Sequence, residues 1–141
     1  MIEAKQTTVA PVRVDFYKGA DGPTLRIDIA DKNHLLTLTR AVNSLWRGRT
    51  NDIPLETLFP VSYEGIGAIQ LSVCEGTGMM RKSIYQVSME DGSIGFIWSP
   101  TTDGWYQNLG LLGGLLRGTA GHQYFGQDSH DDALIVITLG E

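Results

Sequence analysis

VRVDFYKGADGPTLRIDIADKNHLLTLTRAVNSLW, residues 12–46, changes its hydrophobic period once, and that change decides the fold class. Val12, Val14 and Phe16 alternate with Arg13, Asp15 and Tyr17, and Leu25, Ile27 and Ile29 alternate with Arg26 and Asp28. A period of two lays one side of an extended chain on a core. Gly19-Ala20-Asp21-Gly22-Pro23 lies between the runs and supplies turn chemistry, so the pair reads as a hairpin. Beyond Asp31 the apolar residues are Leu35, Leu38, Val42, Leu45 and Trp46, one stripe of a helix over about 32–47. Asp31 is placed to cap it, Arg47 and Arg49 suit its C-terminal dipole, and Gly48 ends it.

The same two periods recur further on. Ile69, Leu71 and Val73 predict a strand, as do Tyr85, Val87 and Met89, and Ile94, Phe96 and Trp98. Asp91-Gly92 between the last two predicts a tight hairpin whose two central residues take positive φ. Asp103 or Thr102 can cap a second helix, which buries Trp105, Leu109, Leu112 and Leu116 and stops at Gly118. Gly110, Gly113 and Gly114 weaken it by about 1 kcal/mol each relative to alanine, which predicts a close approach by the sheet. Leu134 to Leu139 is almost unbroken apolar, the pattern of an interior strand buried on both faces. Residues 48–66 are the least regular, with at most one helical turn between Pro54 and Pro60. The expected order is ββαβββαβ: an α+β fold with a largely antiparallel sheet and two helices on one face. Two strand-then-helix blocks hint at duplication, without a repeat of fixed period.

Length and composition limit the function classes. At 141 residues, 42% hydrophobic and 19% charged, the chain suits one domain with a substantial core and a frayed arm over residues 1–10. A net charge of -5 argues against a nucleic-acid partner, which needs clustered Lys and Arg. Cys74 is the single cysteine, and Met1 to Gln6 lacks the apolar core of a signal peptide, so a reducing, cytoplasmic setting is expected. The longest apolar block, Leu109 to Leu116, is too short for a membrane span, which takes about 20 residues.

No motif supports a cofactor. Gly76-Thr77-Gly78-Met79-Met80-Arg81-Lys82-Ser83 approaches a phosphate loop, but Arg81 stands where a glycine is needed and a strand follows where a helix is needed. There is no G-x-S-x-G. His122, His130, Asp128, Asp131 and Asp132 gather in one stretch and offer metal-binding or acid–base chemistry, yet their spacing fits neither H-E-x-x-H nor an EF-hand loop. Trp46, Trp98 and Trp105 each fall on an expected core face. After Arg117 the chain has no Lys or Arg, while Asp128, Asp131, Asp132 and Glu141 all follow it. Carboxylates mixed with Tyr124, Phe125 and His130 read as a surface for a basic protein partner.

Gly121-His122-Gln123-Tyr124 followed by Asp131-Asp132-Ala133-Leu134-Ile135 resembles the tails of small uncharacterised bacterial proteins. In size, acidity and lack of catalytic motifs the chain is similar to immunity proteins that neutralise interbacterial toxins. That resemblance implies a non-enzymatic protein that occludes a toxin, without metal or cofactor, through Tyr124, Phe125, Asp128, His130, Asp131 and Asp132. Two other readings stay open: a small metal-dependent or acid–base enzyme using the His122–Asp132 loop, and a structural subunit of a larger bacterial assembly.

Overall fold

A computed structural model describes residues 10–75, 83–125 and 131–140. The chain folds as α+β with two helices. Val12–Gly19 (β1) and Gly22–Ile29 (β2) form the expected hairpin, and Lys32–Trp46 is helix α1. Asp31 caps α1 by accepting the Asn33 N–H. Asp52–Pro54 (β3), a 3-10 turn at Leu55–Thr57, Val61–Glu64 (β4) and Ala68–Ser72 (β5) follow. Ile84–Ser88 (β6) and Ile94–Trp98 (β7) make the second hairpin. Thr102–Leu116 (α2), Gly121–Phe125 (β8) and Leu134–Leu139 (β9) complete the order.

The strands form two mixed sheets where the sequence predicts one largely antiparallel sheet. One sheet has the order β4-β1-β2-β9-β8 and the other β3-β5-β7-β6. Pairs β1–β4, β2–β9 and β5–β7 are parallel. As its apolar run predicts, β9 lies inside its sheet, with Ile135 and Ile137 fully buried. Strands β3 and β4 escape the sequence reading because they have three and four residues, too few to show a period, and β8 because Gly121-His122-Gln123 carries no apolar alternation.

The layout repeats within the chain. The helices are displaced by 70 residues at both ends, as are the Asp21-Gly22 and Asp91-Gly92 turns. Each hairpin runs into its helix, and the chain then leaves for the opposite sheet. After α1 it supplies β3 and β5 to the sheet of β6 and β7; after α2 it supplies β8 and β9 to the sheet of β1 and β2. The runs β1-β2-β9-β8 and β6-β7-β5-β3 share one pattern: antiparallel, parallel, antiparallel. The two halves have therefore exchanged their last strands.

Three local expectations change. The second hairpin turns through three residues: Gly92 N–H donates to Met89 O, and Gly92 alone takes positive φ, at 85°. Asp91 keeps an ordinary φ and accepts from the Ser93 hydroxyl and N–H, which hold its carboxyl below the usual range. The cap of α2 is Thr101, one residue before the nearer of the two expected caps, accepting from Gly104 N–H. Side chains built on Gly110, Gly113 and Gly114 would meet open space, so no sheet approaches α2 there.

Both sheets and both helices feed one core. Trp98 of β7 stacks against Trp105 of α2 at 4.9 Å and meets Phe125 of β8 at 5.6 Å, while Phe16 of β1 touches Phe96 of β7 at 5.0 Å. Trp105 Nε1 donates to the Ser72 carbonyl of β5 at 2.7 Å, satisfying a buried polar group. Trp46 departs from its expected core place. It is half-buried between Tyr106 and the Arg47 guanidinium. Tyr63 ties β4 to the 3-10 turn: its hydroxyl donates to Glu56 at 2.9 Å and accepts from Ile69 N–H.

Trp105→Phe keeps most of the ring volume but leaves the Ser72 carbonyl unpaired, and is expected to cost about 1–3 kcal/mol in urea unfolding. Trp105→Ala adds a cavity and is expected to cost about 3–5 kcal/mol. Burial, and then the bond to Glu56, push the Tyr63 phenol up, so the neutral form belongs to the folded state. The stability it contributes is present below the unfolded tyrosine value of about 10 and is lost as pH rises above it. The urea midpoint of the native protein is therefore expected to fall more steeply above that pH than that of Tyr63→Phe.

Candidate functional site

Alternation along β5 turns Ile69 and Leu71 into the core and leaves Gln70 and Ser72 on the other face of the four-stranded sheet. Register then assembles a surface. Asp52 of β3 stands beside Ser72, Gln70 beside Ile97 of β7, and Ile97 beside Tyr85 of β6. Together with Val73, Cys74, Glu75, Ser99 and Asp132, these residues line an open cleft of about 1040 Å³. Asp52 Oδ1 anchors one wall, accepting from Ser72 Oγ at 2.6 Å and from Gln70 Nε2 at 3.0 Å. Asp52, Glu75 and Asp132 bring carboxylates, and no Lys or Arg is among the described lining residues. Ile97 and Val73 give the cleft apolar contact area beneath its polar rim.

The far side of the molecule has a different character. On the outer face of the five-stranded sheet, Arg26 and Asp15 stand in cross-strand register and make a 2.6 Å ion pair. That bond with Asp15 raises the Arg26 guanidinium above its ordinary value. Thr138 Oγ donates to Asp28 at 2.8 Å on the adjacent row. These two pairs follow the strand register, while Arg26 Nε is buried without a partner among the described residues.

The residues expected to bind a partner separate in three ways. Tyr124 is 41% exposed on β8, with its ring edge-on to His122 at 5.8 Å. Phe125 cannot be a surface anchor. It is the next residue of the same strand, so alternation turns it inward, where it is 1% exposed against Trp98. Asp128 and His130 lie outside the described residues, as do residues 76–82 of the phosphate-loop-like stretch.

Asp131 and Asp132 bind within the fold. Asp131 Oδ1 accepts from Ser83 N–H at 2.7 Å and Ile84 N–H at 3.2 Å, and Ser83 Oγ donates to Asp131 Oδ2 at 2.9 Å. Asp132 donates its N–H to Ile84 O and accepts at Oδ2 from Gln86 N–H. The pair pins the approach to β9 along the edge of β6. Asp132 also reaches the cleft, which Asp131 does not line.

His34 does not join His122. It lies in the first turn of α1 against Phe59, with Nδ1 unpartnered among the described residues. Among the described residues no group of three His, Cys, Asp or Glu side chains is placed to hold a metal ion. No helix of the described residues is long and apolar enough to cross a membrane. Asp52, Gln70, Ser72 and Glu75 escaped the sequence reading. The available signal was polar residues facing away from the core in β5, but their convergence with β3 and β6 depends on pairing across the chain.

Comparison with protein-family models, with curated proteins and with solved structures finds no match.

Asp131→Ala strips the acceptor from two backbone donors. It is expected to lower stability by about 2 kcal/mol or more and to speed amide exchange at Ser83 and Ile84. Asp131→Asn keeps a carbonyl oxygen in place and is expected to lose less. No loss in either variant, with unchanged exchange, would show that the clamp contributes nothing; equal loss in both would assign its effect to the carboxylate charge.

Proposed function

We propose that this protein is a non-enzymatic binding domain that covers a basic surface of a partner protein. The most concrete form of that role is an immunity protein occluding a bacterial toxin in the cytoplasm, where Cys74 stays a free thiol. The supporting observation is the cleft on the four-stranded sheet, which offers Asp52, Glu75 and Asp132 without a Lys or Arg among its described lining residues.

Such a cleft suits Lys or Arg side chains. Their ammonium or guanidinium groups meet carboxylates and hydroxyls at the rim, and their aliphatic stems lie along Ile97 and Val73. Complementary charge steers encounter and selects the partner, so binding is expected to weaken as salt rises. Occlusion requires no chemistry from the bound state, only a fixed surface. A sheet face held by strand pairing on both sides supplies one.

The test starts with capture of the partner from the native host by tagged protein, followed by titration calorimetry with the purified partner. D52N/D132N keeps the shape of both side chains and removes two charges. At low salt its affinity is expected to fall on the order of tenfold, with a flatter salt dependence. An unchanged affinity and salt slope would remove the cleft from the interface. Stoichiometric metal in the native protein, with no protein partner, would favour the enzymatic reading.

A further inference from the structure

Trp105, Leu112 and Leu115 turn one side of α2 into the core, and the opposite side is bare. Asp103, Tyr106, Gly110, Gly114 and Arg117 recur there at helical spacing, and all five are exposed. Tyr106 is 56% exposed although its ring leans on Trp46 at 4.9 Å, and Leu111 beside Gly110 is 36% exposed. Side chains built on Gly110 and Gly114 would meet open space, so the helix backbone itself lies uncovered between Tyr106 and Arg117. Among the described residues neither Asp103 nor Arg117 makes an ion pair.

We propose that this face packs on the same face of a second copy, the two α2 helices running antiparallel about a twofold axis at Gly110. Arg117 follows Gly110 by as many residues as Asp103 precedes it. In the antiparallel pair Asp103 of each copy therefore meets Arg117 of the other, and Tyr106 of each copy lies over Gly114 of the other. A twofold interface requires a surface that is its own complement, and this order of charges provides one. A parallel pair would set Asp103 on Asp103 and Arg117 on Arg117.

At the crossing, Gly110 meets Gly110, and the missing side chains let the two backbones approach closely. The contact returns what these glycines cost in helix propensity, which nothing within the chain does. Trp46 backs the Tyr106 ring, so an aromatic anchor is already held in place and loses little freedom when it is covered. Charge favours a second copy on this face. The chain carries a net charge of -5, so copies repel over the surface at large, whereas Asp103 and Arg117 balance here. No α2 residue lines the cleft of the four-stranded sheet. The dimer thus goes beyond the proposed function and stands or falls separately from it.

Sedimentation equilibrium of the full chain, in reducing buffer to exclude a Cys74 linkage, tests the proposal. The native protein is expected to dimerise. G110Q places a side chain in open space and improves helix propensity, so the variant is expected to fold normally. Its dimer is nevertheless expected to weaken by at least about tenfold, because the new side chains hold the backbones apart. D103K sets like charges together at both ends of the pair and is expected to weaken the dimer about tenfold. D103K/R117E restores opposite charges and is expected to recover it. Circular dichroism of each variant establishes that it folds. A native protein that is monomeric throughout, or G110Q that dimerises like the native chain, overturns the interface. A double variant as weak as D103K overturns the antiparallel order.

Discussion

Trp98 is where the two sheets become one structure. Its ring stacks on Trp105 of α2 and meets the edge of Phe125 of β8, so one side chain of the four-stranded sheet packs on the last helix and on the outermost strand of the other sheet. Aromatic pairs of this geometry are worth about 0.5–1.5 kcal/mol beyond the area they bury. Their position matters more than that figure. Trp105 closes the arrangement by donating to Ser72, which carries the cleft on its other side. The core therefore fixes the height and tilt of β5, and through β5 the placement of Gln70, Ser72 and Asp52.

Strand exchange explains why a core of this kind is needed. Each half donates its final strands to the sheet begun by the other half, so neither sheet is built from one contiguous stretch. Loop-closure entropy must be overcome before such pairings are rewarded. Contacts that span the halves, such as Phe16 with Phe96 and Trp105 with Ser72, reward the whole arrangement and neither half alone. The glycines of α2 have no counterpart in α1. The helix occupies the place that α1 holds in the first half, but its Gly110 and Gly114 face solvent, so their cost in helix propensity brings no packing in return within the chain.

What was legible in the sequence was local. The hairpin at Gly19–Gly22, helix α1 with its Asp31 cap, and the interior position of β9 each follow from a period or a turn residue read within one stretch. The division into two sheets was hidden, because parallel pairs such as β2 with β9 join residues about as far apart as the chain allows. The site divided in the same way. The surplus of carboxylates after Arg117 was visible, but nothing in Asp131-Asp132 distinguishes a solvated pair from one that clamps β6. Phe125 looked like a surface aromatic because Gly121-His122-Gln123 gives β8 no apolar alternation to be read as a strand, and the strand is what turns it inward.

The cleft draws on three separated parts of the chain: β3 and β5 from the first half, β6 and β7 from the second, and Asp132 from the approach to β9. It exists only once both sheets are assembled, so under the proposed function folding and binding competence are coupled. A partner that recognises the assembled face binds the native state alone and stabilises it by mass action. An occluding protein gains from this arrangement. A partly folded chain presents fragments of the acidic wall, with Asp52 separated from Tyr85 and Asp132, and leaves its target uncovered. Under the proposed function the aromatic core and the Asp131 clamp would set binding through the same contacts that set stability. Trp98 and Ser83, which do not line the cleft themselves, hold the strands that do.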